Sequence, residues 1–352
     1  MSLRLKCVVL AAMAMIVSPA GAEELKQVGT IAFPGDPIDQ FAVLTIDQTS
    51  GLGYLADKDN KAVVVFDTKT DKFVSRIGGF VGLTKRGTQS GPNGVLVVGG
   101  ELWVSDGDST IKVVEIASGK IAATISTGGE RRANGMAYDP QNKIVLVVNS
   151  DDKPPFINLI SAPDRKVVAK IPVPQSAENL ERSAWHAPSG MFYTVIPVLQ
   201  SDQAKGIIAQ TDSKNGKLIK LHELDGCHPH SLQIVSDTTI FLGCSAAHGA
   251  NKKPGGDMAV FDIASGKVTA RYADMGGNGG SALNPKLNRY YHSSTEAALI
   301  VADSTTGKLV QRVKTSRGAR SSAVNLATGR VYVATSAKQG PCGGCVVVYG
   351  TE

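Results

Sequence analysis

The chain has 352 residues, of which 42% are hydrophobic, so it is long enough to bury a large core. Its 37 basic and 31 acidic residues give a net charge of +6, but Lys and Arg are scattered singly, which argues against specific nucleic-acid binding. No apolar run reaches the roughly 20 residues that a membrane-spanning helix needs, which argues against a membrane span.

The amino end has the pattern of a secretory signal peptide. Arg4 and Lys6 precede an apolar run over residues 7–17, and small residues at 20–22 follow a Ser-Pro break. Such segments are removed on export, so we predict a cleaved signal peptide over residues 1–22, a single mature domain over residues 23–352 and a periplasmic location. Because Arg4 and Lys6 leave with that segment, the mature balance becomes 35 basic against 31 acidic residues, or +4.

After the signal peptide, the sequence repeats one unit. Apolar, strand-like segments run into a short polar turn that ends in lysine, at Lys72, Lys120, Lys166, Lys217, Lys267 and Lys308. The intervals between successive lysines are 48, 46, 51, 50 and 41 residues. That spacing is typical of a four-stranded propeller blade.

The other half of each unit is a hairpin whose turn carries Pro, Asn, Asp or Gly. Clear copies lie at residues 45–57, 137–149, 184–195, 282–293 and 323–335. These turn residues supply the dihedrals that hairpins need, and the flanking Val, Ile, Tyr and Leu favour strands. Helical periodicity is missing, so we predict an all-β, seven-bladed β-propeller of four-stranded antiparallel blades.

The last unit ends early, because no fourth strand follows residues 345–352. The segment that begins at Glu24 resembles the fourth strands of the other units. We therefore predict that the N-terminal strand completes the last blade and closes the ring, which removes the free edges of an open sheet.

Four hairpins carry similar tetrapeptides in their second strand: YLAD (Tyr54 to Asp57), WVSD (Trp103 to Asp106), LVVN (Leu146 to Asn149) and YVAT (Tyr332 to Thr335). They resemble the YVTN-repeat family of seven-bladed β-propellers, and the resemblance covers essentially the whole mature chain. It implies the propeller fold but no single function, because that family contains both binding proteins and enzymes. The fourth and fifth blades depart from the motif.

The two faces of the predicted ring differ. The connections that enter the first strand of each blade share one face, here called the mouth face, with the loops between second and third strands. The opposite face carries the short turns that end in lysine and is here called the Lys-turn face. The longest loops, at residues 149–156, 196–206, 245–257 and 336–345, all fall on the mouth face. Because loops on a rigid scaffold often carry function, we expect binding there.

Alignment of the first strands predicts a polar ring at the channel mouth. Its candidate members are Asp39 or Gln40, Asn93, Asn134, Glu181 or Arg182, His230, Asn278 or Gly279, and Arg320. Such groups bind a small polar or anionic molecule through hydrogen bonds and the arginine charges. The alternative is that they cap the first strands and hold channel waters.

His228 and His230 flank Pro229. Residues two apart in a strand point to the same side, so both imidazoles are candidates for the channel mouth. With His248 on the adjoining loop they form a weak alternative metal site for zinc or copper. The competing interpretation is a solvated or hydrogen-bonded histidine pair.

The pairs Asn93-Gly94 and Asn134-Gly135 resemble the gluconolactonase-like propellers, in which Glu, Asn and Asp side chains hold an axial calcium. Calcium prefers six to eight oxygen ligands with several carboxylates, and only Glu181 and Asp39 are plausible acids here. A metal-dependent lactonase or lyase with a divalent ion in the channel is therefore an alternative function.

Four cysteines remain after export. Antiparallel pairing in the fifth blade brings Cys227 opposite Cys244, which predicts a disulfide. Cys342 and Cys345 lie two residues apart in a glycine-rich loop, and the second begins a strand. Redox-active pairs of this spacing usually open a helix, so we predict a loop-closing disulfide, with a redox or metal role as the alternative.

Together these patterns predict an exported propeller that acts as a ligand-binding or protein-interaction module through its mouth face. The expected partner is a small polar or anionic ligand or another periplasmic protein, with no cofactor. Besides the metal-dependent enzyme, an accessory subunit of a periplasmic redox system stays open, although the chain has no haem-attachment CxxCH.

Overall fold

A computed structural model of the chain describes residues 24–84, 89–245 and 256–351. The predicted signal peptide and His248 lie outside these described residues. Within them, no helix has the length and apolar character needed to cross a membrane.

The described residues form seven four-stranded antiparallel sheets, which are the blades of a propeller. β1 (Lys26–Ala32) comes first in the chain and belongs to blade 7. The other strands are, from the innermost outward, β2 (Phe41–Ile46), β3 (Leu52–Asp57), β4 (Ala62–Asp67) and β5 (Lys72–Gly78) in blade 1; β8 (Val95–Val98), β9 (Glu101–Ser105), β10 (Thr110–Glu115) and β11 (Lys120–Ser126) in blade 2; β12 (Ala133–Asp139), β13 (Ile144–Asn149), β14 (Phe156–Ser161) and β15 (Lys166–Pro172) in blade 3; β16 (Ser183–His186), β17 (Met191–Ile196), β18 (Lys205–Asp212) and β19 (Lys217–Asp225) in blade 4; β20 (His228–Ser236), β21 (Thr239–Ser245), β22 (Asp257–Asp262) and β23 (Lys267–Tyr272) in blade 5; β24 (Gly279–Asn284), β25 (Arg289–Ser294), β26 (Ala298–Asp303) and β27 (Leu309–Lys314) in blade 6; β28 (Ser321–Val324), β29 (Val331–Thr335) and β30 (Cys345–Gly350) in blade 7. A short ribbon of β6 (Gly82–Leu83) and β7 (Ser90–Gly91) lies between blades 1 and 2.

The predicted all-β, seven-bladed propeller is confirmed by these sheets. The repeated lysines mark the same place in each unit. Five of them are the first residue of an outermost strand, and Lys308 immediately precedes β27. Local turn chemistry explains the regularity, because an Asp at the end of the third strand accepts hydrogen bonds from turn amides, as Asp212 does from Lys214 and Asn215.

Blade 7 joins the two ends of the described chain. β1 pairs antiparallel with β30, from Lys26 opposite Gly350 to Ala32 opposite Cys345. Ile31 in β1 is only 1% exposed and packs in one cluster with Phe66 of blade 1 and Tyr332 of blade 7. The outermost strand of the last blade thus contributes to the packing against the first.

The core lies between the blades, where the second and third strands of neighbouring sheets pack face to face. Trp103 in β9, for example, is fully buried among side chains of blades 2 and 3. Close approach near the axis requires small residues. A Cβ on Gly135 would overlap the backbone carbonyl oxygen of Glu181, and one on Gly280 would lie 2.9 Å from the Cα of Ser321.

Candidate functional site

The seven innermost strands enclose an axial cavity of about 200 Å³. Glycines and serines dominate its wall, among them Gly94, Gly135, Ser183, Ser231, Gly280 and Ser321. Arg182 is the only charged residue of the described chain that lines it. The cavity suits a molecule smaller than the drug-sized ligands that fill pockets of about 300–1,000 Å³.

Four cationic side chains from four blades surround the mouth of this cavity. Arg132, Arg182 and Arg320 each stand one residue before the innermost strand of their blade, namely β12, β16 and β28. Lys58 directly follows β3, and its backbone N–H donates to the carbonyl oxygen of Gln40 at 3.0 Å. Each of these charges is therefore carried by backbone anchored in a sheet.

Two of the arginines are held by protein groups. Arg132 Nε lies 2.9 Å from Asp151 Oδ2. Arg320 Nη2 donates to the carbonyl oxygen of Phe41 at 2.9 Å, and its guanidinium carbon lies 5.0 Å from the centre of the Phe41 ring, within cation–π range.

Lys58, Glu181 and Arg182 differ from them, because their charged ends make no hydrogen bond or close ion pair within residues 24–84, 89–245 and 256–351. The backbone nevertheless positions Glu181 and Arg182. The N–H of Glu181 donates to the carbonyl oxygen of Val195 at 3.0 Å, and the N–H of Val195 donates to that of Arg182 at 3.0 Å. Three ionisable groups are thus fixed at the mouth without protein partners.

The mouth has an excess of positive charge, and the pKa values reflect it. Burial, followed by the charges of Arg132 and Arg320, lowers the pKa of Lys58 to about 7. Burial also raises the pKa of Glu181, although the nearby Arg182 and Arg132 oppose that shift. The site therefore disfavours further positive charge, and a bound anion would relieve the repulsion on Lys58.

Asp39, a predicted member of the ring, belongs to a neighbouring cleft at blades 6, 7 and 1, with a volume of about 480 Å³. Its carboxylate accepts a hydrogen bond from Ser336 Oγ and lies 2.9 Å from Lys338 Nζ. These two contacts lower the pKa of Asp39 to about 2. Gln40 and Arg320 line the same cleft.

The predicted asparagines hold backbone. Asn93 is fully buried, and its Nδ2 donates to the carbonyl oxygen of Ala133 at 3.0 Å. Asn134 is half-buried, and its Nδ2 donates to the carbonyl oxygen of Leu180 at 3.4 Å. Both bonds join adjacent blades, which is the capping role left open by the sequence.

In blade 6, the predicted position holds backbone as well. The carbonyl oxygen of Asn278 accepts from the N–H of Thr295 at 3.2 Å. A Cβ on Gly279 would overlap the carbonyl oxygen of Ser293, so only glycine fits there.

The histidines of blade 5 contact protein groups. His228 is 2% exposed, with Nε2 at 2.9 Å from the carbonyl oxygen of Gln203, and Nε2 of His230 lies 3.0 Å from Ser245 Oγ. The register with β21 shifts between Pro229 and Ser231, so simple strand alternation does not hold at His230. Within the described residues, no three His, Cys, Asp or Glu side chains are grouped as a metal site.

Both predicted disulfides are present. Cys227 bonds to Cys244 with a Cα–Cα distance of 5.0 Å, and Cys342 bonds to Cys345 with a Cα–Cα distance of 5.8 Å. The first joins the start of β20 to the end of β21. Whether the second pair exchanges electrons stays a prediction.

Sequence alignment missed Lys58 and Arg132. Lys58 lies in a short loop between second and third strands, whereas the alignment compared first strands and gave weight to long loops. A useful signal was present, because such loops share the mouth face, and Lys58 directly follows the YLAD motif of blade 1.

Comparison with known proteins adds the fold and no closer relationship. No family model and no curated protein matches the chain. Its structure is similar to Kuenenia stuttgartiensis hydrazine synthase, with a TM-score of 0.73 over 90% of this chain and 99% of the compared chain at 15% sequence identity. At that identity the similarity supports a propeller fold alone. The YVTN-repeat assignment is not confirmed and stays a resemblance.

Proposed function

We propose that this protein is a binding module for a small anionic molecule, which it holds at the mouth of its central channel. Lys58, Arg182 and Arg320 would contact the anion, and the small residues of the axial cavity would bound its size. Two disulfides are typical of proteins in oxidising compartments. We therefore place this function in the periplasm.

The observation that carries the proposal is the convergence of Lys58 and Arg182 without hydrogen-bonding partners in the described chain. Buried or half-buried polar groups normally find partners. A fixed cationic pair without them is arranged for a ligand, and guanidinium matches a carboxylate or a tetrahedral oxyanion in bidentate geometry.

The same charges oppose the alternative of an axial divalent cation. Glu181 is the acid nearest to the mouth cluster, and the charges of Arg182, Arg132 and Lys58 all act on it. A calcium site instead gathers several carboxylates. Asp39, the other predicted acid, contacts Lys338 in the neighbouring cleft.

Isothermal titration calorimetry with sulfate, oxalate and glucose tests the proposal. Sulfate or oxalate should bind, and neutral glucose should not. Arg182→Gln should weaken anion binding by about 10- to 150-fold, because a charge-assisted hydrogen bond contributes about 1.5–3 kcal/mol.

Lys267→Gln is the matched control, since it removes one positive charge from the start of β23 on the Lys-turn face. It should leave the affinity unchanged. If neither anion binds at low ionic strength, or if Arg182→Gln and Lys267→Gln have equal effects, the mouth is not the binding site.

A further inference from the structure

Lys58 stands in an unusual environment for an amine. It lies at the channel mouth among groups from three other blades: Arg132 of blade 3, Glu181 and Arg182 of blade 4, and Arg320 of blade 7. Its ammonium has no hydrogen-bond or ion-pair partner in the described residues. Near neutral pH, burial and cationic neighbours leave much of this amine unprotonated, since its pKa is about 7.

Other lysines of the described chain lack this combination. Lys205 Nζ lies 2.8 Å from Glu223, and Lys338 Nζ lies 2.9 Å from Asp39. These carboxylates raise the pKa of both lysines. Lys112 forms a buried ion pair with Asp106. The acid partners favour the protonated ammonium, which is not a nucleophile.

An unprotonated lysine beside arginines is arranged for carbonyl chemistry. Lysines that form Schiff bases are activated by burial or by an adjacent cationic group. An arginine that holds a carboxylate would fix a carbonyl carbon next to that carboxylate within the same mouth. The ligand that combines both features is a 2-oxo acid.

We propose that Lys58 forms an imine with a small 2-oxo acid whose carboxylate is bound by the mouth arginines. This deepens the anion-binding function and rests on it, because the carboxylate must first bind. No metal or redox partner is needed for this step.

The step balances in atoms and protons. Nζ of Lys58 adds to the carbonyl carbon, and a proton moves from nitrogen to the former carbonyl oxygen to give a carbinolamine. Loss of that hydroxyl with one proton releases water and leaves the C=N bond. Glu181, whose pKa is raised by burial, is placed to supply the proton to the leaving hydroxyl and to take one back from nitrogen.

Reductive trapping of the full protein tests the proposal. The protein is incubated at pH 7.5 with pyruvate and sodium cyanoborohydride, which reduces an imine to a stable carboxyethyl amine, and is then analysed by intact mass and peptide mapping. At this pH an amine with pKa about 7 is mostly free base, whereas an ordinary lysine is only about 0.1% free base. We expect one carboxyethyl group, on Lys58, formed at least about tenfold faster than on Lys267.

Lys58→Arg should abolish the rapid adduct, and Lys267→Arg should not. Wild-type peptide mapping gives the same answer without any variant, so a folding defect of Lys58→Arg cannot hide it. Modification of Lys58 no faster than that of Lys267 overturns the imine proposal.

Two comparison ligands separate the possible failures. If pyruvate and lactate bind equally in calorimetry and no adduct forms, the imine proposal fails and the anion-binding function stands. If neither binds, both fail. Propionaldehyde lacks the carboxylate, so it should modify Lys58 much more slowly than pyruvate; an equal rate would overturn the assignment of 2-oxo acids as the substrate class.

Discussion

Anion binding at the mouth should take up protons, because the free site holds Lys58 with its pKa lowered to about 7. A bound anion would raise that pKa toward its ordinary value of about 10.4. The group is thus more protonated in the complex than in the free protein. Affinity is full below pH 7 and is lost as pH rises from about 7 toward 10.

The magnitude follows from the two pKa values. With a free pKa of about 7, Lys58 is protonated to about 90% at pH 6 and to about 10% at pH 8. Binding at pH 8 should therefore take up about 0.9 proton per anion, and the dissociation constant should rise about tenfold between pH 6 and pH 8. Arg132, Arg182, Arg320 and Glu181 share the site and act on the same titration.

Calorimetry with sulfate in buffers of different ionisation enthalpy measures this uptake, and sulfate itself does not titrate in this range. Lys58→Met should remove both the uptake and the pH dependence, whereas Lys267→Met should keep them. Sulfate binding in the wild-type protein that is constant from pH 6 to pH 8, without proton uptake, would refute the assignment of Lys58 to the anion site.

Three further predictions concern the scaffold. Opening the disulfide by Cys227→Ser or Cys244→Ser frees a loop with a sequence separation of 17, and it should lower the free energy of unfolding in urea by about 3 kcal/mol; an unchanged midpoint at equal slope would contradict this. Ile31→Ala should lower the free energy of unfolding by about 2–5 kcal/mol, because that side chain of β1 is 1% exposed; a loss below about 0.5 kcal/mol, typical of surface changes, would mean that β1 adds little to blade 7. Gly135→Ala should weaken both sulfate binding and thermal stability, because its Cβ would overlap the backbone that carries Glu181, whereas Gly78→Ala, with nothing within 4 Å of its added Cβ, should change neither.

Most of the fold could be predicted because its signals are local. The turn before Lys217 needs only Asp212 and the amides that follow it, so the same chemistry recurs wherever the same residues occur. The disulfide of blade 5 was predictable for a similar reason, since a single hairpin brings Cys227 near Cys244.

The candidate site was predictable only in part. Arg182 and Arg320 were found because each precedes a first strand, and both lie at the mouth. Asn93 precedes a first strand too, but its amide is committed to the backbone of the next blade. Sequence spacing cannot show this, because the outcome depends on which acceptor a neighbouring blade places within reach.

The sequence by itself determined the repeat, the number of blades and the face with the longest loops, because each is set by residues near one another in the chain. Only the tertiary structure decided the composition of the mouth. Lys58, Glu181 and Arg320 come from blades 1, 4 and 7, and ring closure brings them around one axis. The lowered pKa of Lys58 arises from that assembly, since burial and the charges of other blades cause it.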